Sequence, residues 1–180
     1  MSLKPQRRKI ILTGYRATGK SVVGRLLADR LEVSYIDMDE VLTARYGEIN
    51  EVVRENGWDY FRDREKELLT ELATAREVVI SAGGGAVMHR EEWQALKDTG
   101  LVVWLTADLE TICRRLGADP LSGSQRPSLT GEDIRTEAAR VLAEREPLYR
   151  QGSHLEIDST RSAPEVAAEI EKVLASGAYT

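Results

Sequence analysis

The chain has 180 residues, with 25 Lys and Arg against 30 Asp and Glu and a formal net charge of −5. With 42 % hydrophobic and 31 % charged residues it is too apolar for disorder and long enough to fold as one domain, 1–180, without disulfide or metal staples. The acidic average argues against nucleic acid, the single cysteine against an oxidising compartment, and the lack of an apolar run near ~20 residues against a membrane span.

The basic N-terminal stretch also lacks a signal-peptide apolar core, so a cytoplasmic protein is expected, as a monomer. Residues 9–13, a short β-branched apolar run, predict a first buried strand. Val22, Val23, Leu26, Leu27 and Leu31 follow at the helical period. Residues 34–37 read as a second strand, 40–46 and 49–55 as two polar helices, and 61–75 as a longer one. Strands are expected at 78–81, 101–105 and 155–157, and helices at 109–115, 134–149 and 164–174. Between them, residues 117–131 hold three Gly and two Pro, a long loop better suited to a lid than to a connector. Strands alternating with helices imply right-handed crossovers, hence an α/β three-layer sandwich with a parallel sheet covered on both faces.

Gly14-Tyr15-Arg16-Ala17-Thr18-Gly19-Lys20-Ser21 fits G-x-x-x-x-G-K-[ST], directly after a strand and directly before a helix. Such a loop curls its N–H groups toward phosphate oxygens, and the helix N-terminus adds partial positive charge. Candidate nucleotide contacts are Gly14, Ala17, Thr18, Gly19, Lys20, Ser21 and Val22. Lys20 is placed to reach the β- and γ-phosphates and Ser21 to ligate Mg²⁺. A guanine-reading N-K-x-D sequence is missing, since Leu96-Lys97-Asp98 lacks the Asn and the spacing. The chain is also short for a motor or helicase, which leaves a small-molecule kinase.

Asp37-Met38-Asp39 falls where the second strand ends, at the edge where open α/β sheets bind ligands. The pair suits Mg²⁺ and a substrate hydroxyl, or a helix N-cap. Arg62 and Glu65 are i,i+3 neighbours, so Glu65 can hold Arg62 for bidentate capture of a carboxylate, or the two form a solvated ion-pair face. Gly83-Gly84-Gly85 after the third strand suggests close approach of a ligand to the main chain rather than a packing need, or else a flexible loop. Arg126 in the long loop can swing over a transferring phosphoryl group. Pro147, near the end of the 134–149 helix, demands a kink or a stop.

Taken in order, GYRATGKS, DMD, FRDRE, GGGAV, RPSLTG and REPLY resemble the shikimate kinase family over nearly the whole chain. The resemblance implies a P-loop kinase fold with sheet order 2-3-1-4-5, a lid at about 116–131 and a substrate-binding region at about 37–65. It also implies ATP-dependent phosphorylation of the shikimate 3-hydroxyl in aromatic amino-acid biosynthesis, with Mg²⁺. By that resemblance Ser21 and Asp37 would serve the metal, and Asp39 would bind shikimate hydroxyls as base or orienter. Arg62 and Arg145 would grip the shikimate carboxylate. Gly83, Gly84 and Gly85 would contact ring hydroxyls, with Gly84 the foremost donor. Lys20 and Arg126 would stabilise the transferring phosphoryl group, and Arg115 would stack on adenine. Trp58 is a candidate for packing beside the substrate ring. A gluconate-type kinase and a regulatory ATPase are the alternatives.

Outside these segments, Cys113 and Trp104 read as packing residues, and His89 and His154 as surface or loop residues. Arg7-Arg8-Lys9 reads as a solvated strand entrance.

Overall fold

A computed structural model describes residues 8–118 and 133–177. Five strands form one parallel sheet in the order β2-β3-β1-β4-β5: β1 (Lys9–Thr13), β2 (Ser34–Asp37), β3 (Val78–Ser81), β4 (Leu101–Thr106) and β5 (Leu155–Asp158). The central β1 is buried along its whole length, as a strand covered on both faces must be. Its side chains alternate between the faces. Ile11 packs with Met38, Phe61, Leu68, Trp104 and Tyr149, whereas Ile10 and Leu12 pack on the other side with Val23, Leu27, Val166 and Ile170.

The first face is covered by α2 (Met38–Tyr46), α3 (Ile49–Leu72), α4 (Arg90–Lys97) and α6 (Ile134–Gln151), and the second by α1 (Lys20–Leu31) and α7 (Ala163–Ala175). A smaller cluster of Tyr15, Ile112, Leu116, Ala138 and Val141 joins α5 (Leu109–Ala118) to α6. The expected sandwich and strand order are both present. No described helix is long and apolar enough to cross a membrane.

Several elements differ in extent from those expected. The helices expected at 49–55 and 61–75 are both present, as the two arms of α3; the arms meet at a kink where Gly57 takes a non-helical φ 85° and ψ 167°, and the second arm ends at Leu72. The acidic start Glu91–Glu92 and the core-facing pair Trp93 and Leu96 mark α4, which was not expected. Gly117 and Ala118, expected in the loop, complete α5. The rest of the expected lid, Arg126 included, lies outside the described residues. Pro147 does not stop α6, which continues to Gln151.

Lys9 overturns the solvated-entrance expectation. It is buried, and its ammonium donates to Leu72 O (2.6 Å) and Ala73 O (3.1 Å), two carbonyls at the end of α3 of which the first also accepts from Ala75 N (3.1 Å). Burial lowers its pKa to about 8 from 10.5. Between those values the unfolded chain holds a proton that the folded chain lacks, so raising the pH favours the folded state. Lys9→Met, which removes the ammonium donor and leaves Leu72 O only its bond from Ala75 N, is expected to cost about 1–3 kcal/mol. The gap in urea midpoint between the native chain and this variant should be constant below pH 8 and widen from pH 8 to 10. A gap that narrows over that range contradicts the assignment.

Candidate active site

The phosphate loop is shaped by two glycines. Gly14 (φ 140°) runs so close to β4 that a Cβ there would lie 2.6 Å from Leu105 O. Gly19, with φ 91° and ψ 14°, turns the chain into α1 as its N-cap. Ala17 takes φ 62°, a left-handed conformation that costs a non-glycine residue roughly 1–2 kcal/mol. The surroundings hold it there. Thr18 Oγ1 donates to Tyr15 O (2.8 Å), and Arg115 donates to Ala17 O (3.2 Å) and to Ser159 O (2.7 Å) beyond β5. Lys20 Nζ donates to Gly14 O (2.9 Å) and Tyr15 O (2.8 Å), within the curl of the loop. Tyr15 is packed among α5 and α6, and Arg16 pairs at 3.2 Å with Glu137, which is 1 % exposed. The loop is thus braced against α6 as well as against the sheet.

Asp37 meets the N-cap expectation and also reaches the phosphate loop. Its Oδ1 accepts from Asp39 N (3.0 Å) and Glu40 N (3.4 Å), capping α2. Its Oδ2 accepts from Ser21 Oγ at 2.6 Å. The Tyr35 hydroxyl lies 3.2 Å from the same Oδ2 and 3.0 Å from Ser81 Oγ, which in turn donates to Lys20 O (2.9 Å). Burial, with the Asp37 charge adding to it, pushes the Tyr35 phenol up to about 12, so it stays a neutral donor. Ser21 and Asp37 together present hard oxygen donors beside the phosphate loop. Among the described residues no group of three or more His, Cys, Asp or Glu is placed to hold a metal. Two oxygens alone fit Mg²⁺, which keeps several waters and shares substrate phosphates rather than entering a protein cage.

Arg62 leaves α3 between three constraints. Its NH1 donates to Glu65 Oε2 at 2.7 Å, its guanidinium lies 5.2 Å from the Trp58 ring centroid and 5.5 Å from that of Phe61, and it abuts Gly85. A Cβ at Gly85 would lie 2.4 Å from Arg62 NH1. This glycine therefore has a packing reason, contrary to the expectation for the triplet. Trp58 stacks on Arg62 and meets Phe61 edge-on. His89, expected at the surface or in a loop, lies between a 3₁₀ turn and α4 but is buried, with Nε2 2.8 Å from Glu65 Oε2. His154 accepts from Val102 N at 3.0 Å through Nδ1, which ties β4 to the start of β5.

Arg145, on α6, is 8 % exposed and makes no hydrogen bond among the described residues. One turn later on the same helix, the buried Tyr149 hydroxyl donates to Gly84 O at 2.6 Å. Elements carrying Arg62 and Arg145 thus both close on the segment 84–85. A cavity of about 580 Å³ is lined by Ala17, Gly19, Lys20, Ser21, Val22, Asp37, Asp39 and Gly84. Gly14, Thr18, Gly83, Gly85, Arg62, Arg115 and Arg145 stand outside its lining. The structure therefore unites the phosphate loop with the acidic pair directly, and sets Arg62 against the glycine segment, outside the cavity lining. Motif reasoning did not reach Tyr35, Ser81, Glu137, His89 or Tyr149. Each acts through another residue, and no local pattern marks such a role.

The model of the family described as "Shikimate kinase" matches residues 16–175. The shikimate kinase of Nitratidesulfovibrio vulgaris is 39 % identical, over 96 % of this chain and 97 % of its own. That of Oleidesulfovibrio alaskensis is 40 % identical, over 93 % and 98 %. In three dimensions, a shikimate kinase from Acinetobacter baumannii in complex with shikimate superposes with a TM-score of 0.89 at 30 % identity, covering 97 % of both chains. Fold, phosphate loop and whole-length likeness agree, and the chain belongs to the shikimate kinase family.

Proposed function

We propose that this chain transfers the γ-phosphoryl group of ATP to the 3-hydroxyl of shikimate, giving shikimate 3-phosphate and ADP in the route to chorismate and the aromatic amino acids. The observation that carries this reading is the pair of shielded cations, Arg62 and Arg145, set where α3 and α6 close on Gly84 and Gly85 beside the phosphate-loop cavity. Arg62 is held by Glu65, whereas Arg145 is buried without a carboxylate partner among the described residues, which is costly unless an anion completes it. The carboxylate of an acid substrate does so, and it fixes the ring so that one hydroxyl faces the phosphates.

The roles follow from that orientation. Asp39, at the start of α2 and in the cavity wall, orients the attacking hydroxyl and receives its proton. The hydroxyl oxygen bonds to the γ-phosphorus as the bond to the β–γ bridging oxygen breaks. Lys20 and Arg126 neutralise the charge that accumulates on the transferred group and on ADP. Backbone groups of residues 83–85 face the ring hydroxyls, and Arg115 lies against adenine. Mg²⁺, held by Ser21 and by Asp37 through water, would supply charge neutralisation at the nucleotide phosphates. The segment after α5, to residue 131, serves as the lid that excludes water. The protein acts as a single-domain monomer in the cytoplasm.

A coupled ADP-release assay with shikimate, gluconate, AMP or no acceptor tests the reading. ADP release with shikimate alone is expected. Release with gluconate alone points to the polyol-acid alternative, and acceptor-independent release to a regulatory ATPase.

Two substitutions test the assignments. Arg62→Ala removes a charge-assisted contact of about 1.5–3 kcal/mol, so shikimate affinity should fall roughly 10- to 150-fold with ATP affinity almost unchanged. Equal losses for both ligands in titration calorimetry contradict the anchor. Asp37→Asn keeps an oxygen to cap α2 but loses the carboxylate that Ser21 faces. Turnover should drop at least about 100-fold, the size of effect seen when one preorganised electrostatic group is lost, and the melting temperature should stay close to that of the native chain. Turnover within about tenfold of the native value contradicts the assignment.

A further inference from the structure

We propose that His89 is a positioning residue for substrate binding: through Glu65 it holds the Arg62 guanidinium in its anchoring geometry. Glu65 is fully buried, and one of its oxygens, Oε2, faces both Arg62 NH1 (2.7 Å) and His89 Nε2 (2.8 Å). A carboxylate oxygen paired with an arginine can only accept, so the imidazole nitrogen that faces it carries the hydrogen. Two donors from different elements converge on one acceptor atom, and the carboxylate cannot rotate without losing both.

An i,i+3 arginine–carboxylate pair on one helix is a weak restraint by itself, because both side chains are long and rotamer-rich. His89 turns it into a tertiary one. It follows directly on the single 3₁₀ turn Ala86–Met88, whose own hydrogen bonds (Met88 N to Gly85 O, His89 N to Ala86 O) begin at the glycine segment. The Glu65–His89 bond therefore pins the segment that contacts the substrate to the helix that carries the anchor. It also fixes the separation at which the Arg62 guanidinium lies flat against Gly85. A second effect has the same sign. The imidazole N–H draws negative charge on Glu65 away from the place where a substrate carboxylate must sit, so Arg62 presents more of its positive charge to the ligand.

The inference rests on Arg62 as the anchor of the acid substrate. Three variants read it. His89→Gln carries an amide N–H to about the position of Nε2, His89→Asn is polar but too short, and His89→Leu fills the space without a donor. Steady-state kinetics should show the KM for shikimate raised about tenfold or more in His89→Leu and His89→Asn, the loss of one hydrogen bond to a charged group, with the KM for ATP within about twofold of the native value. His89→Gln should recover most of the shikimate KM. Equal shikimate KM values in the Gln and Asn variants overturn the inference, even if His89→Leu does not fold. So does a rise in the KM of both substrates by one factor, which marks a merely structural histidine. A native enzyme that fails to phosphorylate shikimate overturns the substrate reading and this inference together, whereas native turnover with unchanged variants overturns the inference alone.

Discussion

One carboxylate joins the parts of this molecule that must meet for phosphoryl transfer. Asp37 ends β2 in register with Ser81 of β3, and its two oxygens are divided between tasks. Oδ1 starts α2 by accepting two of its open N–H groups, and Oδ2 takes the Ser21 hydroxyl from the first turn of α1. The position of the acidic pair relative to the phosphate loop therefore does not depend on a flexible connection. It follows from a helix that cannot begin elsewhere without losing its cap. The same spot needs α1 close to the sheet. A Cβ at Gly24 would stand 2.7 Å from both Ser81 Oγ and Tyr35 Cε2, so the absence of a side chain there lets the Tyr35 and Ser81 hydroxyls reach Asp37 and the loop.

Close approach recurs at the other end of the site. The triplet at 83–85 is not merely permissive backbone. Gly85 has an ordinary φ of −98°, so its lack of a side chain matters for space and not for conformation. That space is filled by the guanidinium of Arg62. Gly84 meanwhile gives its carbonyl to Tyr149 and still borders the cavity. Each glycine thus has its own neighbour, and a segment that reads as one motif has at least two separate physical causes.

The layered fold and the chemistry-bearing motifs were legible because each is local. A strand period, a helix period and an eight-residue phosphate loop all lie within one short window of chain. The Arg62–Glu65 pair and the Asp37 cap were legible for the same reason, being separated by three residues or fewer. Lys9 and His89 were not. A lysine at a strand entrance and a histidine after a glycine loop look solvated, and their burial follows from partners 63 and 24 residues away in the chain. The kink at Gly57 was legible as well, since the pattern breaks between 55 and 61 and Gly57 leaves helical geometry there. Resemblance to a family supplied the strand order and the role of Arg145, which no local pattern in this chain carries.

The net charge of −5 describes the surface poorly at the cleft, where acids and bases are organised by pairing. Glu137 and Glu65 are almost wholly buried and each holds an arginine, Arg16 or Arg62. An acid beside a cation meant for an anionic ligand looks self-defeating. At an effective dielectric of ~20, a carboxylate ~6 Å from a bound carboxylate repels it by about 3 kcal/mol. Against that, an arginine side chain left free carries about 2 kcal/mol of rotamer entropy that binding would have to remove. The two effects nearly cancel, so Glu65 alone gives little net advantage. Its worth depends on what shares its charge and what stops the pair moving: His89 bonds the carboxylate itself, and Gly85 and Trp58 confine the guanidinium it holds. In the proposed reading, anion recognition at this end of the site is thus a matter of fixed geometry rather than of surplus positive charge, which is how an acidic protein would present a cationic anchor.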